Sequence, residues 1–215
     1  MDVIEAMKTT GTCRYFSDKP VPDEVLMSAF DAARFAPQGG NRQPVRWIVV
    51  RDEDRRRQLA EWYLAPWKAY LAGIGAGDIG VGALPKAVTD ADHFAEHLHE
   101  VPAIVVLCAE LDGLHPTDLE LDRLSVVGGG SIYPTAQNFC LALRDQGVAS
   151  ALTTLLVHAE PQVKELLGIP DGVITAAHIA VGYPARGFPA KLTRTPVEEI
   201  VFGETYGTPI SGGRP

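Results

Sequence analysis

The sequence is poor in cysteine, and its three cysteines, Cys13, Cys108 and Cys140, are far apart and form no CxxC pair. That excludes a disulfide framework and gives no zinc signature, so all three are expected to be small buried apolar residues. No stretch approaches the roughly 20 apolar residues of a membrane helix, and residues 1–8 carry no apolar signal core; a cytoplasmic chain with no membrane partner is expected. Basic charge is in deficit, with 19 Lys and Arg against 27 Asp and Glu and a formal net charge of -8. A nucleic-acid surface declares itself as a basic stripe, so no nucleic-acid partner is expected. A GxSxG elbow, a P-loop, a GxGxxG after a strand and an HExxH pair are all missing, which removes the usual signatures of hydrolase, nucleotide-phosphate and zinc-peptidase chemistry.

At 215 residues the chain suits one sizeable core, and a single domain over 1–215 is expected. Apolar spacing predicts helices over 2–8, 23–35, 55–69, 89–100, 131–146 and 161–167, and buried strands over 46–51, 103–109, 150–156 and 174–182. Strand segments separated by helices predict an α+β fold of three α/β/α layers around a central mixed sheet. Residues 71–84, "LAGIGAGDIGVGAL", are rich in glycine and alanine; such a stretch packs little and fixes no single backbone shape, so it reads equally as a mobile lid or as a surface insertion. The lid would belong to an insertion at about 65–100.

Histidines 93, 97 and 99 invite a metal reading, since His93 and His97 share a helix face. No third and fourth ligand accompanies them, and a solvated face is preferred, with no metal. Gly128-Gly-Gly130 opens a predicted helix and reads as a flexible entry turn rather than an anion site.

Three stretches carry more information. "APQGGNRQP", 36–44, sets bare glycine backbone and the amides of Gln38, Asn41 and Gln43 at a helix-to-strand junction, where a flat, polar-edged ligand could be read. "TTGTCRYFSDKPVPDEVL", 9–26, spaces Thr10, Thr12 and Arg14 two apart. "AKLTRTPVEEIV", 190–201, puts Lys191 and Arg194 after the last strand. Brought together, these hydroxyls and cations would clamp a phosphate.

In order and spacing the three stretches resemble the motifs of the flavin-dependent nitroreductase family: an N-terminal R-x-S-x-R/K-x-F, a P-x-P-x-x-x-L helix start, A-P-S-x-x-N-x-Q-P-W, and a C-terminal basic cluster before P-x-E-E-V. The likeness covers most of the chain except 65–100 and the last dozen residues. Thr10 stands where the family has its first arginine, Thr12 where it has serine, and Val45 where it has tryptophan.

The resemblance implies a nitroreductase-like fold and an obligate-type homodimer with FMN at the subunit interface. It implies NADH or NADPH as hydride donor and a small planar acceptor, such as a nitroaromatic, quinone or enone, in two half-reactions. Arg14, Lys191 and Arg194 would hold the phosphate, with hydrogen bonds from Thr10 and Thr12. Pro37, Gln38, Gly39, Asn41 and Gln43 would approach the ring. "SALTTLL", 150–156, corresponds to the segment facing flavin N5, so Thr153, Thr154 and Leu155 are its neighbours, Thr154 foremost. Trp67, Tyr70 and His97 are lid-side candidates for the substrate. No protein nucleophile is implied. The same fold also suits a flavin-storing or flavin-sensing protein, or a flavin- or deazaflavin-linked dehydrogenase of a biosynthetic intermediate.

Overall fold

The computed structural model describes residues 1–73 and 84–210. Four strands, β1 (Val45–Val50), β2 (Ala103–Glu110), β3 (Ala149–Thr153) and β4 (Val173–Gly182), form one sheet in the order β1-β2-β4-β3. The two inner strands carry unbroken apolar runs because both of their faces are covered, and β2 is buried from Ala103 to Ala109.

Alternation along the strands divides the core in two. Val105, Leu107 and Ala109 of β2, with Ile179 and Val181 of β4, point to one side; Ile104, Val106 and Cys108, with Ala180, point to the other. The first side is covered by α2 (Asp23–Ala33) and α5 (Tyr133–Asp145), with Phe30, Trp47 and Phe139 meeting at ring separations of 4.7 to 5.2 Å. The second is covered by α3 (Glu53–Gly73), α4 (Lys86–Glu96) and α6 (Glu160–Leu167) through Leu59, Tyr63, Phe94 and Val163. Helix α1 (Val3–Thr9) is capped by the Asp2 side chain, which accepts from the Ile4 and Glu5 N–H groups. The α+β, α/β/α layering expected from the sequence is therefore present.

The expectation of a mixed sheet is corrected. Every pairing among the described residues is antiparallel. Strands β2 and β3 run in the same direction, but β4 lies between them and bonds to both, so no parallel neighbours arise.

Element ends also shift. Helix α3 runs on to Gly73 with Pro66 inside it, and the helix predicted to reach Glu100 stops at Glu96, followed by a 3₁₀ turn over Leu98–Glu100. The predicted strand to 156 ends at Thr153, where a 3₁₀ segment, Leu155–Ala159, begins. Of the glycine-rich 71–84 segment, residues 74–83 lie outside the described residues. No described helix is long and apolar enough to cross a membrane.

Candidate functional site

The "APQGGNRQP" loop leaves α2 and enters β1 through a short 3₁₀ turn, Gly39–Asn41. Gly40, Asn41 and Gln43 all have positive φ, at 59°, 54° and 52°, a region that glycine enters freely and asparagine more readily than most other residues. The two amides support one another: Gln43 Nε2 donates to Asn41 Oδ1 at 3.2 Å. Ser131 Oγ accepts from the Gly39 N–H at 3.0 Å and ties the loop to the Gly128–Gly130 turn, with which it lines a cleft of about 430 Å³. The Gln38 Oε1 atom is buried there with no hydrogen-bond partner among the described residues, an acceptor whose burial is costly unless a donor reaches it.

The N-terminal motif runs across the end of the sheet. The Cys13 N–H donates to Ser150 O, Ser17 N–H to Tyr183 O and Ala185 N–H to Tyr15 O, each at 2.8 to 2.9 Å. The segment after β4 folds back over it, so that a Cβ at Gly11 would meet Leu192 Cδ2 at 3.0 Å and Pro189 Cγ at 3.1 Å. The N-terminal motif and the segment after β4 thus meet, and between them lies a pocket of about 270 Å³ lined by Thr12, Arg14, Lys86, Asp90 and Arg186, among others. Arg14 is half-buried over the Phe94 ring at 5.1 Å, and burial lowers its pKa. Thr12 is exposed at the pocket. Thr10 is turned away: its hydroxyl donates to Ala6 O at 2.7 Å at the end of α1. Lys191 and Arg194 are exposed, and among the described residues Arg194 bonds only its neighbour, the Thr193 carbonyl, at 2.7 Å.

Thr153 closes β3 opposite His178, and its Oγ1 accepts from the Leu155 N–H at 3.3 Å. Thr154 is exposed and opens onto a shallow, mainly apolar groove of about 1060 Å³ with Gly128, Tyr133, Val157 and His158. One wall of this groove is fixed by Asp118, which accepts from Ser125 Oγ at 2.8 Å and from the Val126 N–H at 2.9 Å and pairs with Arg123 at 2.8 Å. These bonds, the Val126 N–H first, hold its pKa down at about 2. Nothing in the sequence pattern singles out Asp118.

The lid-side residues are not gathered together. Trp67 Nε1 donates to buried Asp92 at 2.8 Å, joining α3 to α4, and Tyr70 is exposed beside it with ring centres 5.5 Å apart. His97 instead stacks on His93 at 4.0 Å, and His93 on Tyr15 at 4.4 Å. They line a small cavity with Arg14 and Arg186. The histidine face is therefore partly packed rather than solvated, and no group of three or more metal-ligating side chains occurs among the described residues. Cys108 and Cys140 are buried as expected, with burial pushing the Cys108 thiol up to about 11, whereas Cys13 is half-buried and donates to Tyr15 O.

A three-layer α/β/α protein carries a cationic pocket where its N-terminal motif meets the segment after β4, and a separate, mainly apolar groove at the other end of the β3–β4 pair. The sequence model of the Nitroreductase family matches residues 7–183, and the chain belongs to that family of flavin-dependent oxidoreductases. It is 26% identical over 225 residues to the FMN reductase [NAD(P)H] of Bacillus subtilis (strain 168), covering 95% of this chain and 74% of the relative. It is likewise 26% identical over 224 residues to an NADH dehydrogenase of Thermus thermophilus, covering 92% and 93%. Among solved structures, an iodotyrosine deiodinase bound to FMN and 3-iodo-L-tyrosine superposes with a TM-score of 0.69 at 21% identity, covering 91% of this chain and 96% of that one.

Proposed function

We propose that the chain uses FMN to take hydride from NADH or NADPH and passes the electrons to a small planar acceptor, a nitroaromatic, quinone or enone, in a two-step ping-pong reaction at sites completed by a second copy of the chain. The observation that carries this reading is the convergence of the N-terminal motif and the segment after β4 on one cationic pocket.

The residues present fit the cofactor. Arg14, with Lys191 and Arg194, supplies guanidinium and ammonium donors for its phosphate, and Thr12 a free hydroxyl. Thr10 joins them only by releasing the Ala6 carbonyl. The orphaned Gln38 Oε1 is matched to a ring N–H, and Pro37, Gly39, Asn41 and Gln43 bring backbone and amides to the ring edge. Thr153, Thr154 and Leu155, Thr154 foremost, would lie beside the hydride-accepting nitrogen, where a backbone N–H donor would favour reduction; the Leu155 N–H would do so only by leaving Thr153 Oγ1. When bound, FMN supplies the two-electron chemistry; the protein's part is to orient it and polarise it. Trp67 is spent on Asp92, and His97 is held on His93 by stacking and by Nδ1 at 2.7 Å from the His93 carbonyl, which leaves exposed Tyr70 as the lid-side contact for the acceptor.

The opening loop and the cationic pocket line different cavities of one chain, which supports a site shared between two copies. The apolar side chains exposed along α1 (Val3, Ile4, Met7) and around the groove (Leu124, Val126, Tyr133) offer the area a dimer would cover.

The test is the visible spectrum of the purified protein with and without added FMN, followed by anaerobic NADPH or NADH. Bleaching of a bound flavin band, and its return on adding a quinone or nitroaromatic, supports the reading; a protein that takes up no FMN overturns it.

A further inference from the structure

The motif residues are not the only cations at the pocket between the N-terminal motif and the segment after β4. Arg186, in the turn that follows β4 and just before Gly187 (φ 74°), lies flat on Tyr15, its guanidinium carbon 3.3 Å from the ring centroid. Tyr15 is itself fixed on three sides: its carbonyl accepts from the Ala185 N–H at 2.9 Å, its hydroxyl donates to Asp90 at 2.7 Å, and its ring stacks on His93 at 4.4 Å. A guanidinium held on an aromatic face keeps its N–H edge free and loses little conformational freedom when an anion arrives.

The charge balance of the pocket is specific. Of its three cations, Lys86 is neutralised by Asp90, whose two carboxylate oxygens accept from Nζ at 2.5 and 2.7 Å. Arg14 and Arg186 make no salt bridge among the described residues. Three cations against the one carboxylate of Asp90 leave a net positive pocket of about 270 Å³, matched to a phosphate monoester dianion. Thr10, by contrast, stands at the motif position that would otherwise carry a cation, with its hydroxyl engaged at the end of α1.

We infer that Arg186, held on Tyr15, is a phosphate-binding residue of this protein and, with Arg14, takes the 5′-phosphate of FMN in place of the cation missing at Thr10. The inference rests on the flavin reading above and adds to it a residue outside the motif.

The experiment titrates FMN and riboflavin, which lacks the phosphate, into the flavin-free full chain and into Arg186→Gln, following quenching of flavin fluorescence. Arg186 is exposed, so the variant is expected to fold, and matching circular dichroism melts establish that it does. Loss of one charge-assisted contact predicts FMN binding about 10-fold weaker, with riboflavin binding changed by less than about twofold. Equal FMN affinity in wild type and variant overturns this inference alone. So does an equal loss for both flavins, which would make Arg186 a ring contact. A variant with unchanged FMN affinity and a raised KM for NADPH but not for NADH assigns the phosphate to the nicotinamide donor, and also overturns it. A wild-type chain that binds neither flavin overturns the flavin reading as well.

Discussion

His178 stands directly across from Thr153 in the β3–β4 pair, in the same row as Val106 of β2, and both of its ring nitrogens are buried without a hydrogen-bond partner among the described residues. The candidate flavin-facing end of β3 is thus backed by a neutral imidazole that cannot readily be charged: burial alone pushes its pKa down to about 4. Because the folded-state value lies below the ordinary histidine value, the unfolded chain binds the extra proton between the two. Stability is full above about pH 6.5 and is lost as pH falls towards 4, by about 3 kcal/mol from this one residue. Urea denaturation at pH 7.5 and 4.5 measures it. His178→Leu is expected to remove most of that pH dependence and to be no less stable than wild type at pH 7.5, since two unsatisfied nitrogens disappear; an unchanged acid sensitivity would assign it to other groups.

Asp92 holds two helices through one carboxylate, accepting from Trp67 Nε1 at 2.8 Å and Lys68 Nζ at 2.7 Å. Asp92→Ala leaves a half-buried indole N–H without its acceptor, while the Lys68 ammonium keeps Glu96 at 2.7 Å, and a loss of about 2 kcal/mol is expected. Trp67 fluorescence should shift to the red as α4 loosens from α3. Denaturation followed by that signal checks both, and a wild-type midpoint would show the tie to be dispensable.

Gly11 is the point at which the N-terminal motif touches the segment after β4. In Gly11→Ala the new Cβ presses on Leu192 Cδ2 and Pro189. The first is the end of a flexible side chain, so less than about 1 kcal/mol of global stability is at stake. The expected effect is functional: the segment carrying Lys191 and Arg194 is displaced, and FMN binds several-fold more weakly while the melting temperature barely moves. A titration matching wild type would separate that segment from the phosphate.

Arg194→Ala tests the motif cation directly. Among the described residues its guanidinium bonds only Thr193 O, and it is exposed, so no folding role is lost and FMN affinity is expected to fall by about 10-fold. If affinity is unchanged, the phosphate is carried elsewhere.

Much of the scaffold is legible in the sequence because it is local. The apolar spacing of Leu26, Ala29, Phe30 and Ala33 is enough to place α2, and the short, β-branched apolar runs Ala103–Ala109 and Ile174–Gly182 read as strands with both faces covered. Sheet order is not local: that β4 enters between β2 and β3, making every pair antiparallel, depends on long-range partners that no window of sequence contains. The same division holds at the site. Arg14, the 36–44 loop and the basic segment at 191–194 are visible as motifs. Arg186 carries no motif and acquires meaning only from its place on Tyr15, while Asp118 is defined by the backbone N–H groups that fold around it. His178 sits in an apolar run, and its lack of partners emerges only when the layers close over it.

The contact between Leu192 and Gly11 divides the chain into a part that builds the sheet and a part that closes the pocket. The last described strand ends at Gly182, and the pocket wall drawn from Arg186 to Pro189 comes after it. Changes in that wall can therefore alter what the pocket holds without touching a strand of the sheet, which makes the segment after β4 the place where ligand preference can drift while the scaffold stays constant.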